Sequence, residues 1–259
     1  MVNTSVRLAQ INPAVKLTAH LMVMLFLMMI ADPATSALLW VLSIVIGILF
    51  GGWNIQYIIK RIVPYFAFFL LVFWMLAAFG KGEHIVGEFA WFRITEEGIY
   101  NGLTIAFRML GFVTYGLLFT STTDTTQLVM SMIHQYRLSP KWGYGLLAGL
   151  RFIPLFQSEL SQMKAAHKIR GFHAQGKLKS FARYTLPLFT QGIRKAERVA
   201  IAMEARGFDG AKPRTYYHVP TIRRIDWMYC AFLFMAVLSL TALSFSFGWL
   251  HWTWNGSSA

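Results

Sequence analysis

The chain has 259 residues, 56% of them hydrophobic, 16% aromatic and 14% charged, with a mean hydropathy of +0.49 and a net charge of +13. So apolar a composition excludes an ordinary soluble domain, and a single cysteine, Cys230, excludes both a disulfide framework and a cysteine zinc site within one chain. The positive charge does not mark a nucleic-acid binder, because it is concentrated in one stretch: Ser121 to Arg224 holds 17 Lys and Arg against 5 Asp and Glu, a net of +12.

In chain order, apolar runs fall at about Leu17–Ala31, Ala34–Gly52, Ile62–Phe79, Ile99–Thr120 and Trp227–Leu250. A membrane helix needs about 20 apolar residues, so these predict five spans. The first is short and is expected to extend past Lys16, with the amine snorkelling to the interface. Ala31-Asp32-Pro33 is a poor signal-cleavage site and is followed at once by another apolar run, so a retained helical hairpin turning at Asp32-Pro33 is expected. Arg7 and Lys16 precede the first run, Lys60 and Arg61 separate the second and third, and the basic stretch follows the fourth. The intervening connections carry Asp32 alone, or Lys81 and Arg93 against Glu83, Glu88, Glu96 and Glu97. The positive-inside tendency therefore places the N-terminus and residues 121–224 in the cytoplasm and the C-terminus outside.

The basic stretch keeps a helical period. Ser139 is placed to cap a helix with Pro140 at its first position, after which Trp142, Leu146, Leu150, Ile153, Phe156, Leu160 and Met163 form a seam. Leu186, Phe189, Ile193, Ala196, Ala200 and Met203 form a second. The first helix spans roughly 30 residues, about 45 Å, and should kink at Pro154; the second spans about 20. The seams are expected to cover each other or the ends of the membrane helices. Both helices end alike, at Ile169-Arg170-Gly171-Phe172 and Ala205-Arg206-Gly207-Phe208. Glycine suits a left-handed helix end, and arginine there opposes the negative end of the helix dipole, which accounts for either copy alone. Two matching copies on one basic stretch point further, to a pair of arginine anchors for carboxylates in a protein groove.

Among the remaining candidates, Arg108 lies well inside the fourth run, where a structural partner such as helix-terminal carbonyls is expected, and His20 reads as a hydrogen-bonded packing residue. Glu83, His84 and Glu88 are too loosely spaced for a metal site and read as a solvated acidic loop. Glu197 and Glu204 are expected to pair with Lys195, Arg198 or the first helix. His134, His167 and His173 have no nucleophile or carboxylate at a meaningful spacing, so a catalytic role is not favoured, and Asn255-Gly256-Ser257 is a chance-prone glycosylation pattern. The chain has no phosphate-loop motif and no acidic residue inside an apolar run, Asp226 sitting only at the edge of the last. A membrane protein lacking both is passive or is driven by a partner.

Asn12-Pro13 to Leu17, Ala106-Phe107-Arg108, Thr120 to Leu128, Leu150-Arg151-Phe152-Ile153-Pro154, and Ala196-Glu197 leading to Ala202-Met203-Glu204-Ala205-Arg206-Gly207 together resemble the transmembrane coupling subunits, or T components, of energy-coupling factor transporters. The resemblance covers nearly the whole chain and departs at Ile169, where alanine is common. It implies an all-α polytopic membrane protein with about five spans and long crossed cytoplasmic coupling helices. The divisions it suggests are 1–120 for four spans, 121–224 for the coupling region and 225–259 for the last span and external tail. It further implies ATPase docking through Ile169, Arg170, Gly171, Ala205, Arg206 and Gly207, with a homo- or heterodimeric ABC-type ATPase and a small substrate-binding S component as partners. No cofactor is then expected on this chain, ATP and magnesium being held by the ATPases, and the chain sits in a bacterial or archaeal cell membrane as a non-catalytic subunit importing a vitamin, a vitamin precursor or a transition-metal ion. The rival reading is a non-transport scaffold whose basic loop binds anionic lipid.

Overall fold

The computed structural model describes residues 7–80, 84–89, 92–171, 177–208, 215–216 and 219–248. After a 3-10 turn at Arg7–Gln10 come α1 (Pro13–Met29), α2 (Pro33–Leu49), α3 (Ile55–Phe79), β1 (Ile85–Phe89), β2 (Phe92–Thr95), α4 (Glu96–Thr122), α5 (Thr125–Gln135), α6 (Pro140–Ile169), α7 (Lys177–Ala205) and α8 (Arg224–Ser246). The chain divides into two compact units: Met1–Leu128 with Pro220–Ala259, and Val129–Val219.

The first unit holds the apolar helices. By length and composition α3, α4 and α8 are able to cross a membrane, whereas α1 and α2 are apolar but only 17 residues long. Seventeen residues rise about 26 Å, short of a hydrocarbon core of about 30 Å. Polar side chains set the helix starts. Asn12 accepts from the Ala14 N–H with Pro13 next to it, and Thr95 accepts from the Gly98 N–H ahead of Glu96 and Glu97. Asp32 turns the α1–α2 hairpin as its Asp-Pro sequence predicts: one carboxylate oxygen accepts from the Thr35 N–H at 2.7 Å and the Thr35 hydroxyl at 2.5 Å. Its other oxygen accepts from the Tyr100 hydroxyl of α4 at 2.9 Å.

α4 is the central helix of this unit, packing on α1, α2 and α3. Leu27, Leu39, Ile46, Leu118 and Leu233 close the core from α1, α2, α4 and α8. Against α3 the backbones come so near that a Cβ on Gly102 would lie 3.1 Å from the Phe73 carbonyl, the small-residue contact that membrane helices use. Ser43 and Thr114 share a 2.7 Å hydrogen bond between α2 and α4, and the Trp53 indole donates to Ser121 at 3.0 Å. Outward, α3 and α8 present Phe66, Leu71, Met75, Trp227, Met235 and Phe245. Apolar side chains so placed suit a lipid solvent. The connection expected as an acidic loop instead contains the antiparallel β1–β2 hairpin, with Ile85 opposite Thr95 and a register shift before Gly87. Within it Glu83 lies outside the described residues.

The second unit is a helical pair with a short lead-in. α5, which the hydropathy runs do not reveal, buries Val129 and Ile133, and Ile133 meets α6 where Gly143 leaves room. α6 has the 30 residues its seam predicts, and α7 has 29, longer than expected. Pro140 occupies the first turn of α6 while the Ser139 side chain makes no capping hydrogen bond, so the start is set by proline alone. Pro154 and Pro187 both lie inside continuous helices.

Candidate functional site

The two matching tips are built in the same way. At the end of α7 the Gly207 N–H donates to the Glu204 carbonyl at 2.8 Å and the Phe208 N–H to the Met203 carbonyl at 2.9 Å, the paired bonds of a Schellman terminus. At the end of α6 the Gly171 N–H donates to the Lys168 carbonyl at 3.2 Å. Gly171 and Gly207 have φ of 72° and 75°, a left-handed conformation that a side chain disfavours and glycine does not. The turns leave Ile169, Arg170, Gly171, Ala205, Arg206 and Gly207 exposed, Ile169 at 87%. Among the described residues neither guanidinium has a hydrogen-bond or ion-pair partner. Phe208 turns back onto the Tyr144 ring, edge to face at 5.6 Å, while Phe172 lies outside the described residues.

α6 and α7 cross where the sequence repeat is in register. Lys195 pairs with Glu159, 36 residues earlier. One turn away a Cβ on Gly192 would lie 3.0 Å from the Phe156 ring, so glycine lets the helices approach there. Gly192 is again 36 residues beyond Phe156, the spacing that separates Arg206 from Arg170. From the crossing to each arginine is therefore the same arm of 14 residues, about 21 Å of helix. Nearer the α6–α7 turn, His167 contacts Tyr184 edge on at 5.3 Å.

The face that α7 turns to α6 is not the one its hydrophobic period suggests. Tyr184, Leu188, Gly192, Lys195, Val199 and Met203 are half-buried, whereas the expected seam residues Leu186, Phe189 and Ile193 are exposed, Phe189 at 68%. On α6 the seam divides: Phe156, Leu160 and Met163 are half-buried, and Trp142, Leu146 and Ile153 are exposed. The crossing uses the side where glycine and the ion pair allow close approach, and leaves apolar residues outward. Glu159 supplies that ion pair; among the described residues Glu197 and Glu204 make none.

Three polar residues of the first unit find partners inside it. Arg108 donates through a terminal nitrogen to the Ile30 carbonyl at the end of α1, the helix-terminal carbonyl contact expected. His20 Nε2 lies 2.7 Å from the Tyr229 hydroxyl of α8, again as expected. Lys16 does not snorkel: it is 0% exposed, and its ammonium donates inward to the Thr122 carbonyl at 3.0 Å. Asp226, read from sequence as an edge residue, is buried as well. Charge type and position flag Lys16 and Asp226, but nothing local signals which way they point. His84, Glu96, Glu97, Tyr100 and Asn101 line a shallow cleft beside the β-hairpin; among the described residues no three metal-ligating side chains converge, and His173 and Asn255 to Ser257 lie outside them.

An apolar helical bundle together with a basic helical pair defines an all-α membrane protein. A family model described as "Cobalt transport protein" (CbiQ) matches residues 5–217. The chain is 27% identical over 231 residues to the energy-coupling factor transporter transmembrane protein EcfT of Staphylococcus aureus, covering 84% of this chain and 83% of that one. It is 29% identical to EcfT of Listeria innocua, covering 90% and 91%, and 30% identical to EcfT of Bacillus selenitireducens, covering 84% of each. The chain belongs to the CbiQ/EcfT family of transmembrane components of energy-coupling factor transporters, a family of transporter subunits and not of catalytic enzymes.

Proposed function

We propose that this chain couples an ABC-type ATPase dimer, homo- or heteromeric, to a small membrane S component that binds the transported vitamin, vitamin precursor or transition-metal ion. Arg170 and Arg206, flanked by Ile169 and Gly171 and by Ala205 and Gly207, each enter a groove of one ATPase subunit. ATP and magnesium are held by those subunits, and this chain binds no cofactor. Closure of the ATPases on nucleotide moves the two tips, and the crossed pair passes the displacement to the apolar helices. The chain is multi-pass in the cell membrane, with its N-terminus and residues 121–224 in the cytoplasm. One observation carries this reading: two exposed guanidiniums, without a partner among the described residues, at the ends of equal arms measured from a crossing where repeat positions meet. A dimeric partner offers two equivalent grooves, and equal arms suit it.

The test is copurification from the native membrane. The tagged chain is expected to bring down one or two phosphate-loop ATPases and a small, very hydrophobic protein. Charge reversal at both tips, R170E with R206E, should reduce recovered ATPase about tenfold or more while the small protein stays bound, since a desolvated arginine anchor is worth a few kcal/mol. ATPase recovered undiminished with the double variant rejects docking through these residues. Anionic vesicles captured in place of ATPase, with steep loss in salt, would favour the lipid scaffold.

A further inference from the structure

Two buried charges of the first unit, Lys16 and Asp226, meet along one stripe of α1. Lys16, 0% exposed, donates to the Thr122 carbonyl at 3.0 Å and to the hydroxyl oxygens of Thr122 and Thr123, both at 3.3 Å. That carbonyl is in the last turn of α4, where a helix leaves its acceptors unpaired and its dipole is negative, so the ammonium caps the helix. One turn before Lys16, the Asn12 N–H donates to Asp226 Oδ1 at 2.8 Å. Asp226, 2% exposed, is in the first turn of α8 and its Oδ2 accepts from the Arg223 N–H at 2.6 Å, so this carboxylate caps a helix of the opposite sense. The Asp226 charge also acts on the Lys16 ammonium. One turn beyond Lys16, His20 reaches Tyr229, also of α8. Asn12, Lys16 and His20 therefore hold the end of α4 and the start of α8 to a single face of α1.

Those two helix ends flank the places where the chain passes between the units, after Leu128 and before Pro220. The chain itself carries displacement of the second unit into the first along these two connections. An apolar side chain would fill the Lys16 position without demanding partners, whereas a buried ammonium requires every acceptor to stay in place, because separation leaves an uncompensated charge in a low-dielectric interior. The arrangement is consequently a stiff joint. We propose that Lys16 and Asp226 are positioning residues that clasp both roots of the coupling region to α1, so that displacement of the arginine-tipped pair is delivered to the α1–α2 hairpin and not dissipated at the connections. The inference rests on the coupling function proposed above and adds the route by which the motion enters the membrane helices.

The test uses the full chain copurified with its ATPases and small membrane partner, with Cys230→Ser and nitroxide labels at Leu25→Cys on α1 and Leu70→Cys on α3, both exposed positions. The label separation is measured by pulsed electron resonance with and without magnesium and a non-hydrolysable ATP analogue. Without further change the analogue should shift the distribution; with K16M the ATPases should copurify and bind the analogue equally, and the shift should vanish. A purely structural role would reduce the yield of complex but not the shift per complex. T123V, which deletes one acceptor and keeps the shape, should at least halve the shift, and it decides the matter alone if K16M does not assemble. A full shift in assembled K16M, or in T123V where K16M does not assemble, overturns the clasp while leaving the coupling function intact. ATPases bound with no shift in the unaltered chain overturn the transmission reading and the clasp with it, and failure of any ATPase to copurify overturns the coupling function first.

Discussion

The two units of this protein use polar residues in opposite ways. In the first, a set of charged and hydroxyl side chains is turned inward onto partners: Lys16 on Thr122, Asp32 on Thr35 and Tyr100, Asp226 on Asn12 and Arg223, Ser43 on Thr114. In the second, among the described residues, charged side chains lie mostly outward, the Lys195–Glu159 ion pair bridges the long helices, and large apolar residues stand exposed beside them. The difference follows from the solvent. Lipid accepts apolar surface without a penalty but cannot hydrogen-bond, so inside the bilayer polar groups must pair with each other and specificity comes from them. The basic helical pair leaves Phe189 and Leu186 exposed, an apolar surface that gains stability from whatever covers it.

That contrast can be broken from either side. Leu118→Ala removes a fully buried side chain from the first unit and should cost about 2–5 kcal/mol, seen as a several-degree drop in the unfolding temperature of the purified chain in detergent. Gly192→Leu drives a side chain into the Phe156 ring at the crossing; about 1–3 kcal/mol of strain is expected, together with a changed separation between labels at the two tips. Gly207→Ala places a Cβ at φ 75° and should cost about 1 kcal/mol, fraying the last turn of α7 in hydrogen exchange. Glu159→Gln breaks a partly solvated ion pair, and a double-mutant cycle with Lys195→Met should return a coupling of about 1 kcal/mol or less. Smallest of all, Phe189→Ser should leave the isolated chain within about 0.5 kcal/mol. The same change should weaken recovery of a copurifying partner, and a loss of stability without a loss of partner would show that the exposed seam is covered within the chain.

Much of this was legible in the residues because the responsible forces are local. Asp32-Pro33 turned the hairpin where a cap followed by proline must turn it, and the seam of α6 gave the helix length. The Arg-Gly pairs ended their helices where glycine tolerates a left-handed residue. Expectations failed where a partner far along the chain decided the matter. Hydrophobic periodicity predicts one seam on α7, yet its contact face is set by Gly192 and Lys195, a small residue and a charge that carry no hydrophobic signal. α5 is too short and polar for a hydropathy run to show, and the β1–β2 hairpin is set by cross-strand pairing between residues individually suited to a loop.

Sequence alone determined the membrane class, the helical architecture, the basic region and the repeated tips, since hydropathy, charge and 3.6-residue periodicity are properties of short windows. Tertiary structure alone decided that Lys16 points inward to Thr122, 106 residues away, and that Asp226 holds Asn12, 214 residues away. A charge at the edge of an apolar run can reach outward to water or inward to a partner. Which is lower in free energy depends on whether distant helices bring acceptors to it, and no local pattern encodes that.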